Sequence, residues 1–259
     1  MKKNLYGNID DIVCNIKIVT CKGTLSKVTE WPRHSSGFDL NQVVLGHEGN
    51  FGVITEVVLR VRPLPDVSIH NSYIFPDYDT GCKFMEEVGK SRIWPASLRL
   101  VDNIQFQFGQ ALKTEQSFSE DVIDAIKKFY VTKIKGYNPE TMTAATALFE
   151  GTREVTAAQK KYVDATAAKY MGLEAGPANG LRGYFLTFVI AYIRDLGQNY
   201  NFIAESFETS CPWKQVVPLS KNVTKRINDL CQKHGVLDRI FASFRVTQLY
   251  ETVSLSFSP

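Results

Sequence analysis

The chain has 259 residues, 44% hydrophobic and 22% charged, with 30 Lys+Arg against 27 Asp+Glu for a net charge of +3. That composition excludes disordered, collagenous and low-complexity classes, and a charge so near neutrality argues against a nucleic-acid partner. The length supports one large domain or two smaller ones, each able to bury a core without metal or disulfide staples.

The first strand-like segment is residues 12–20, where apolar positions alternate with polar or β-branched ones; it turns at Lys22-Gly23 into a second strand, Thr24–Val28. Asp39 reads as the N-cap of a short helix, Leu40–Leu45, closed by Gly46. The turn His47-Glu48-Gly49-Asn50-Phe51-Gly52 feeds a strand, Val53–Val61, and Pro63 and Pro65 mark a domain boundary. Beyond it strands (Ser72–Phe75, Ala96–Leu100, Ala144–Phe149, Asn201–Phe207, Phe241–Leu255) interleave with helices (Tyr78–Val88, one capped by Ser119, Thr152–Tyr170, Pro212–His234). This order predicts an α+β layer with helices covering one face of a sheet. No leader precedes the first strand, and the uncharged run Tyr184–Ile193 is about half of the ~20 residues that span a bilayer. Five scattered cysteines without a C-x-x-C point to a reducing, intracellular setting.

Chemistry-bearing candidates are few. Gly49 and Gly52 let backbone approach a ligand, which suits N–H groups cradling a phosphate or a cofactor edge, although such a turn before a strand is also a common structural device. Arg194 ends the apolar run; it is either a salt-bridge partner of Asp195 or a nearby Glu, or a guanidinium aimed at a phosphate or carboxylate ligand. Glu205 and Glu208 could do acid–base work or cap the helix that opens at Pro212. The four histidines lack metal-ligand spacing, so no metal site is expected, and no Walker loop, GxGxxG or Gly-x-Ser-x-Gly is present.

Several segments resemble the alkyldihydroxyacetonephosphate synthases, FAD enzymes of the vanillyl-alcohol-oxidase superfamily. They are the opening Met1–Asp11, His47–Thr55, Pro95–Asn103, Leu148–Gly151, Ile190–Asp195, Glu205–Ser210 and Arg245–Gln248. The resemblance covers about residues 1–250 and is to an internal segment, so it implies a fragment. Its implied architecture is α+β: the second half of a PCMH-type FAD-binding domain at 1–65, a cap domain with a ferredoxin-like sheet plus helices at 66–243, and a truncated closing strand at 244–259. The implied cofactor is FAD, met by Glu48, Gly49, Asn50, Phe51, Gly52, Val53 and Ile54. The implied reaction joins acyl-dihydroxyacetone phosphate and a long-chain fatty alcohol into alkyl-dihydroxyacetone phosphate and fatty acid through a flavin N5 adduct. Arg194 matches the arginine that holds the substrate phosphate; Arg99 also matches a family arginine and is read as supporting. An ungapped count puts Phe257 where the family keeps its proton-transferring tyrosine, which implies an inactive chain. The resemblance implies a peroxisomal protein, although no targeting signal is seen, and leaves room for a peripheral membrane contact and a homodimer. The rivals are a flavin-dependent 2-hydroxy-acid oxidoreductase of the same superfamily and a non-catalytic interaction fragment.

Overall fold

The computed structural model describes residues 2–31, 35, 37–111, 126, 128–201, 204–236, 240–251 and 253–258, with backbone alone for 187, 190, 191 and 253–258. Two compact units divide at Pro65 and Asp66, the point where Pro63 and Pro65 break the strand pattern.

The smaller unit opens with two single-turn helices, α1 (Lys3–Tyr6) and α2 (Ile9–Ile12). It is built on strand β1 (Val13–Thr20), flanked by β2 (Gly23–Leu25) and β3 (Val53–Leu59) in an antiparallel sheet of order β2-β1-β3. Both flanking strands are shorter than the pattern predicts. Helix α3 (Leu40–Val44) follows Asp39, whose carboxylate accepts the Asn41 N–H at 2.9 Å as the expected N-cap. The core is small: Val13, Ile16, Ile18 and Val44. Strand β3 leaves Val53, Ile54, Val57 and Leu59 exposed.

The larger unit is a seven-stranded, fully antiparallel sheet. Its strands are β4 (Val67–Phe75), β5 (Ser97–Val101), β6 (Thr143–Gly151), β7 (Leu173–Glu174), β8 (Phe207–Cys211), β9 (Ser243–Gln248) and β10 (Val253–Ser258), in the order β7-β4-β6-β5-β9-β10-β8. Helices α4 (Tyr78–Ser91), α5 (Asn103–Ala111), α6 (Arg153–Lys169), α7 (Pro177–Gln198) and α8 (Trp213–Lys233) connect them, with a π-helical turn at Tyr130–Ile134. Because side chains alternate along a strand, register decides which face each residue joins. Leu98, Leu100, Ala145, Ala147, Phe149 and Val246 face one way and pack against Phe84, Met85 and Val88 of α4, Val163 and Ala167 of α6, and Trp213 and Val216 of α8.

The architecture is α+β. It departs from the one-sided layer the pattern suggests, because α5 and α7 lie on the opposite face. No element is assigned to 177–198 from the pattern, since aromatic and aliphatic residues there sit on both sides of the helix and blur its period. Of the predicted strand Asn201–Phe207, residues 202 and 203 lie outside the described residues and the strand observed here is Phe207–Cys211; the predicted closing strand is two strands, β9 and β10, with Leu249 buried between them. Glu205–Ser210 therefore runs into a strand instead of capping a helix; the residue before α8 is Pro212, with no side-chain cap. Most of the helix expected after Ser119 lies outside the described residues.

Candidate functional site: an arginine-lined cavity on the sheet

On the face away from the core, the same strands present Ser72 and Ile74 (β4), Ala144 and Thr146 (β6), Arg99 and Val101 (β5) and Arg245 (β9). These positions are cross-strand neighbours: Ser72 pairs with Thr146, Thr146 with Arg99, and Val101 with Arg245. They floor a cavity of about 120 Å³. Helix α5 supplies one wall through Gln105, Phe106 and Gly109, and α7 another through Asn179, Arg182 and Leu186.

Small residues let α7 approach this closely. A Cβ on Gly183 would stand 2.5 Å from Thr146 Cγ2, and one on Gly180 would stand 2.4 Å from the Asn71 carbonyl oxygen. Neither position has room for a side chain, so both glycines set the depth of the cavity.

Three guanidinium groups meet there, and among the described residues no carboxylate lines the cavity. Arg182 donates from Nη2 to Asn179 Oδ1, one turn back on α7. The Nε atoms of Arg99 and Arg245 are buried and have no hydrogen-bond partner. Burial, and then the neighbouring Arg245 charge, lower Arg99 to about 10. Burial lowers Arg245 as well, against the favourable field of Glu208. Glu208 reaches this face through the register: Ser256 stands opposite both Glu208 and Arg245. Two further polar atoms here are buried and unpartnered, Gln105 Oε1 and Thr247 Oγ1.

Asp102 fixes the junction of β5 and α5. Its carboxylate accepts the Gln105 N–H at 2.9 Å and the Phe244 N–H at 3.2 Å, while its own N–H donates to the Phe244 carbonyl at 3.1 Å. It thus ties the start of the α5 wall to the strand that carries Arg245. Burial pushes its carboxyl up to about 6, partly opposed by those two N–H donors.

The other expected site residues lie elsewhere. Arg194 is exposed on α7, next to Ile193, which does line the cavity. The backbone of Phe257 is in register with Phe244 and Phe207; its side chain falls outside the described part of the structure. In the smaller unit, Glu48 and Gly49 adopt positive φ (50° and 83°), and the His47 ring nitrogens lie 2.6 Å from the Val44 carbonyl oxygen and 3.2 Å from that of Gly52. A Cβ on Gly52 would fall 2.2 Å from the Val19 carbonyl oxygen, so the turn closes onto β1 only with glycine there. The space over Gly49 is open, and Phe51, Val53 and Ile54 are exposed beside it. Open backbone bordered by exposed apolar side chains fits the edge of a flat heteroaromatic ring.

Residues 65–254 match the model of the family "FAD linked oxidases, C-terminal domain". The chain belongs to this family. It is 42% identical to the alkyldihydroxyacetonephosphate synthase of Caenorhabditis elegans over 97% of its own length and 42% of that protein. It is 25% identical to the enzyme of the same name from Trypanosoma brucei brucei over 90% of its length and 38% of that protein. A solved alkyldihydroxyacetonephosphate synthase structure superposes with a TM-score of 0.81 at 23% identity, covering 99% of this chain and 46% of that one. The chain therefore spans less than half the length of each relative.

The family is FAD-linked, and the exposed turn at Glu48–Ile54 suits such a ring. Sequence reasoning found Arg99 but assigned it a supporting place; it lines the cavity. Arg245 was named only as part of the Arg245–Gln248 segment, and Arg182 and Gln105 were not singled out. The available signal was the strand alternation, which puts Arg99 and Arg245 on the face opposite Leu98, Leu100 and Val246.

Among the described residues no cluster of His, Cys, Asp and Glu could hold a metal ion, and no helix is long and apolar enough to cross a membrane.

Proposed function

We propose that the chain carries the substrate-binding portion of an alkyldihydroxyacetonephosphate synthase. Such an enzyme exchanges the acyl group of acyl-dihydroxyacetone phosphate for a long-chain fatty alcohol and releases the fatty acid. The cavity is the observation that supports this reading. Three guanidinium groups with no lining carboxylate among the described residues, set among hydrocarbon walls, suit a molecule with an oxyanion at one end and an apolar chain at the other.

FAD, when bound, supplies the bond-exchange chemistry, and Glu48, Gly49, Asn50, Phe51, Gly52, Val53 and Ile54 are the residues proposed to meet it. The chain's own residues bind and orient. Arg99, Arg182 and Arg245 fix an oxyanion; Val101, Phe106 and Leu186 keep water away and so strengthen those charge interactions. Arg194 is proposed to meet the substrate phosphate from the exposed side of α7. Phe257 stands, on an ungapped count, where the resemblance expects tyrosine. It has no hydroxyl to give or take a proton, and loss of such a group lowers rates by about 10²–10⁴. On this reading the protein belongs to ether-lipid synthesis and to the peroxisome.

The test supplies FAD, acyl-dihydroxyacetone phosphate and labelled fatty alcohol to the purified protein. Slow formation of labelled alkyl-dihydroxyacetone phosphate, accelerated in Phe257→Tyr, supports the reading. Reduction of a redox dye by a 2-hydroxy acid, with no alcohol exchange, overturns it in favour of an oxidoreductase.

A further inference from the structure

Arg99 and Arg245 are an unusual pair. Val101 stands directly opposite Arg245 in the β5–β9 register, so Arg99 lies diagonally across from Arg245 on one face of the sheet. Like charges at neighbouring sheet positions repel. An arginine with a structural role in such a place answers a carboxylate or caps carbonyl groups, yet neither side chain makes a hydrogen bond or ion pair among the described residues, and both Nε atoms are buried. Electrostatic relief comes to Arg99 from Tyr184 and then Glu208, and to Arg245 from Glu208, two strands away from it. A third guanidinium, Arg182, converges from α7 and is held in place by Asn179.

We infer that Arg99 and Arg245 form an oxyanion subsite on the rigid sheet, separate from Arg194, which takes the charged head of an apolar-chained ligand with Arg182 closing over it. The inference rests on the functional reading above and sharpens it, since it says which arginines form an oxyanion subsite inside the cavity, beside the place proposed for Arg194. The two head groups that fit are a phosphate monoester and a carboxylate. The planar forks of two arginines suit either, and burial first, then the Arg245 charge, lower the affinity of Arg99 for its proton. With Glu208 two strands from Arg245 and no ion pair at hand among the described residues, the two charges add little to the stability of the fold. Their removal should therefore leave the fold intact or firmer, as is common for binding residues.

The experiment follows thermal unfolding and calorimetric binding with glycerol 3-phosphate, octanoate or chloride at equal ionic strength. The wild-type protein should show a saturable rise in Tm with at least one of the first two and none with chloride. A response to glycerol 3-phosphate assigns the phosphate; a response to octanoate assigns the carboxylate. Arg99→Met and Arg245→Met should each weaken that binding about tenfold to a hundredfold, the range for a lost charge-assisted hydrogen bond. In chloride alone both variants should unfold at or above the wild-type temperature. A clear fall in Tm for both variants in chloride would show that the guanidinium groups hold the fold, and would overturn the inference. So would an anion response that survives either substitution, or no response at all. If alcohol exchange occurs while the anion response is absent, only the subsite fails; if the response is lost in Arg245→Met but no exchange occurs, only the reaction fails.

Discussion

The two faces of the seven-stranded sheet are made from the same strands, one residue apart, and they do opposite things. One face presents Leu98, Leu100, Ala145, Phe149 and Val246 to three helices and is closed to water. The other presents Arg99, Thr146 and Arg245 to two helices held off by about 120 Å³ of space. On the first face each side chain removed from water adds to stability. On the second, two cations share one apolar-walled space with buried donors left unused. The contrast separates the residues that make the fold from those that use it, and it predicts that substitutions on adjacent positions of one strand will differ in sign.

The largest expected effect breaks the packed face. Phe149 is fully buried in the core of the larger unit, and Phe149→Ala should destabilise by about 3–5 kcal/mol, the cost of a large buried ring and the cavity it leaves. Denaturant unfolding measures it. A loss below about 1 kcal/mol would mean that this face does not carry the stability its burial implies. Next comes the spacing of the other face. Gly183→Val must push α7 away from Thr146, since even a Cβ has no room, and overpacking of this kind costs about 1–3 kcal/mol. The same variant should lose anion binding more sharply than stability, because the displaced helix carries Arg182. Equal losses would tie the cavity to the fold instead.

The pH dependence sharpens the comparison, because Asp102 ties the α5 wall to the strand that carries Arg245. Its carboxyl is raised to about 6 in the folded chain by burial, above the usual carboxylate range, so the folded state takes up a proton before the unfolded state does. Its contribution is therefore favourable below about pH 4, and is lost as pH rises through about 6. At pH 7 the buried charge costs about 2 kcal/mol relative to pH 4, by the proton-linkage relation. Asp102→Asn keeps one acceptor and removes the charge. Its stability relative to wild type should improve as pH rises from 5 to 8. A constant difference over that range would show that the carboxyl titrates as in water.

How much of this was legible in the sequence depended on whether a segment followed one period. Thr143–Gly151 and Arg153–Lys169 alternate or repeat cleanly, and the pattern places both to within about a residue or two. Asp39 was readable as a cap because its role is local. Pro177–Gln198 was not readable as a helix, because Leu181, Phe185, Phe188 and Tyr192 are exposed while Leu186 and Ile193 line the cavity, so no face is cleanly polar. The cavity itself joins residues 72, 99, 146, 182 and 245, which only strand register brings together. The turn at Glu48–Ile54 was legible as chain geometry from Gly49 and Gly52, whose positive φ the structure bears out, while its role toward FAD rests on the resemblance.

The smallest effect on stability belongs to Arg194, and it is the one that separates the two arginine positions. Arg194 is exposed on α7, and substitution at such a site changes stability by no more than about 0.5 kcal/mol. Lysine keeps the charge and loses the planar two-pronged donor geometry that matches phosphate. If Arg194 meets the substrate phosphate, Arg194→Lys should raise KM for acyl-dihydroxyacetone phosphate about tenfold, with Tm and FAD retention unchanged; one charge-assisted hydrogen bond is worth about that much. If instead the phosphate is gripped on the sheet, Arg194→Lys should leave KM alone and Arg245→Met should raise it. Steady-state kinetics of the two variants side by side decides between them. A buried guanidinium without a partner and an exposed one on a helix cannot both be the main anchor of a single oxyanion, and the variant that moves KM identifies which face of α7 the substrate head group reaches.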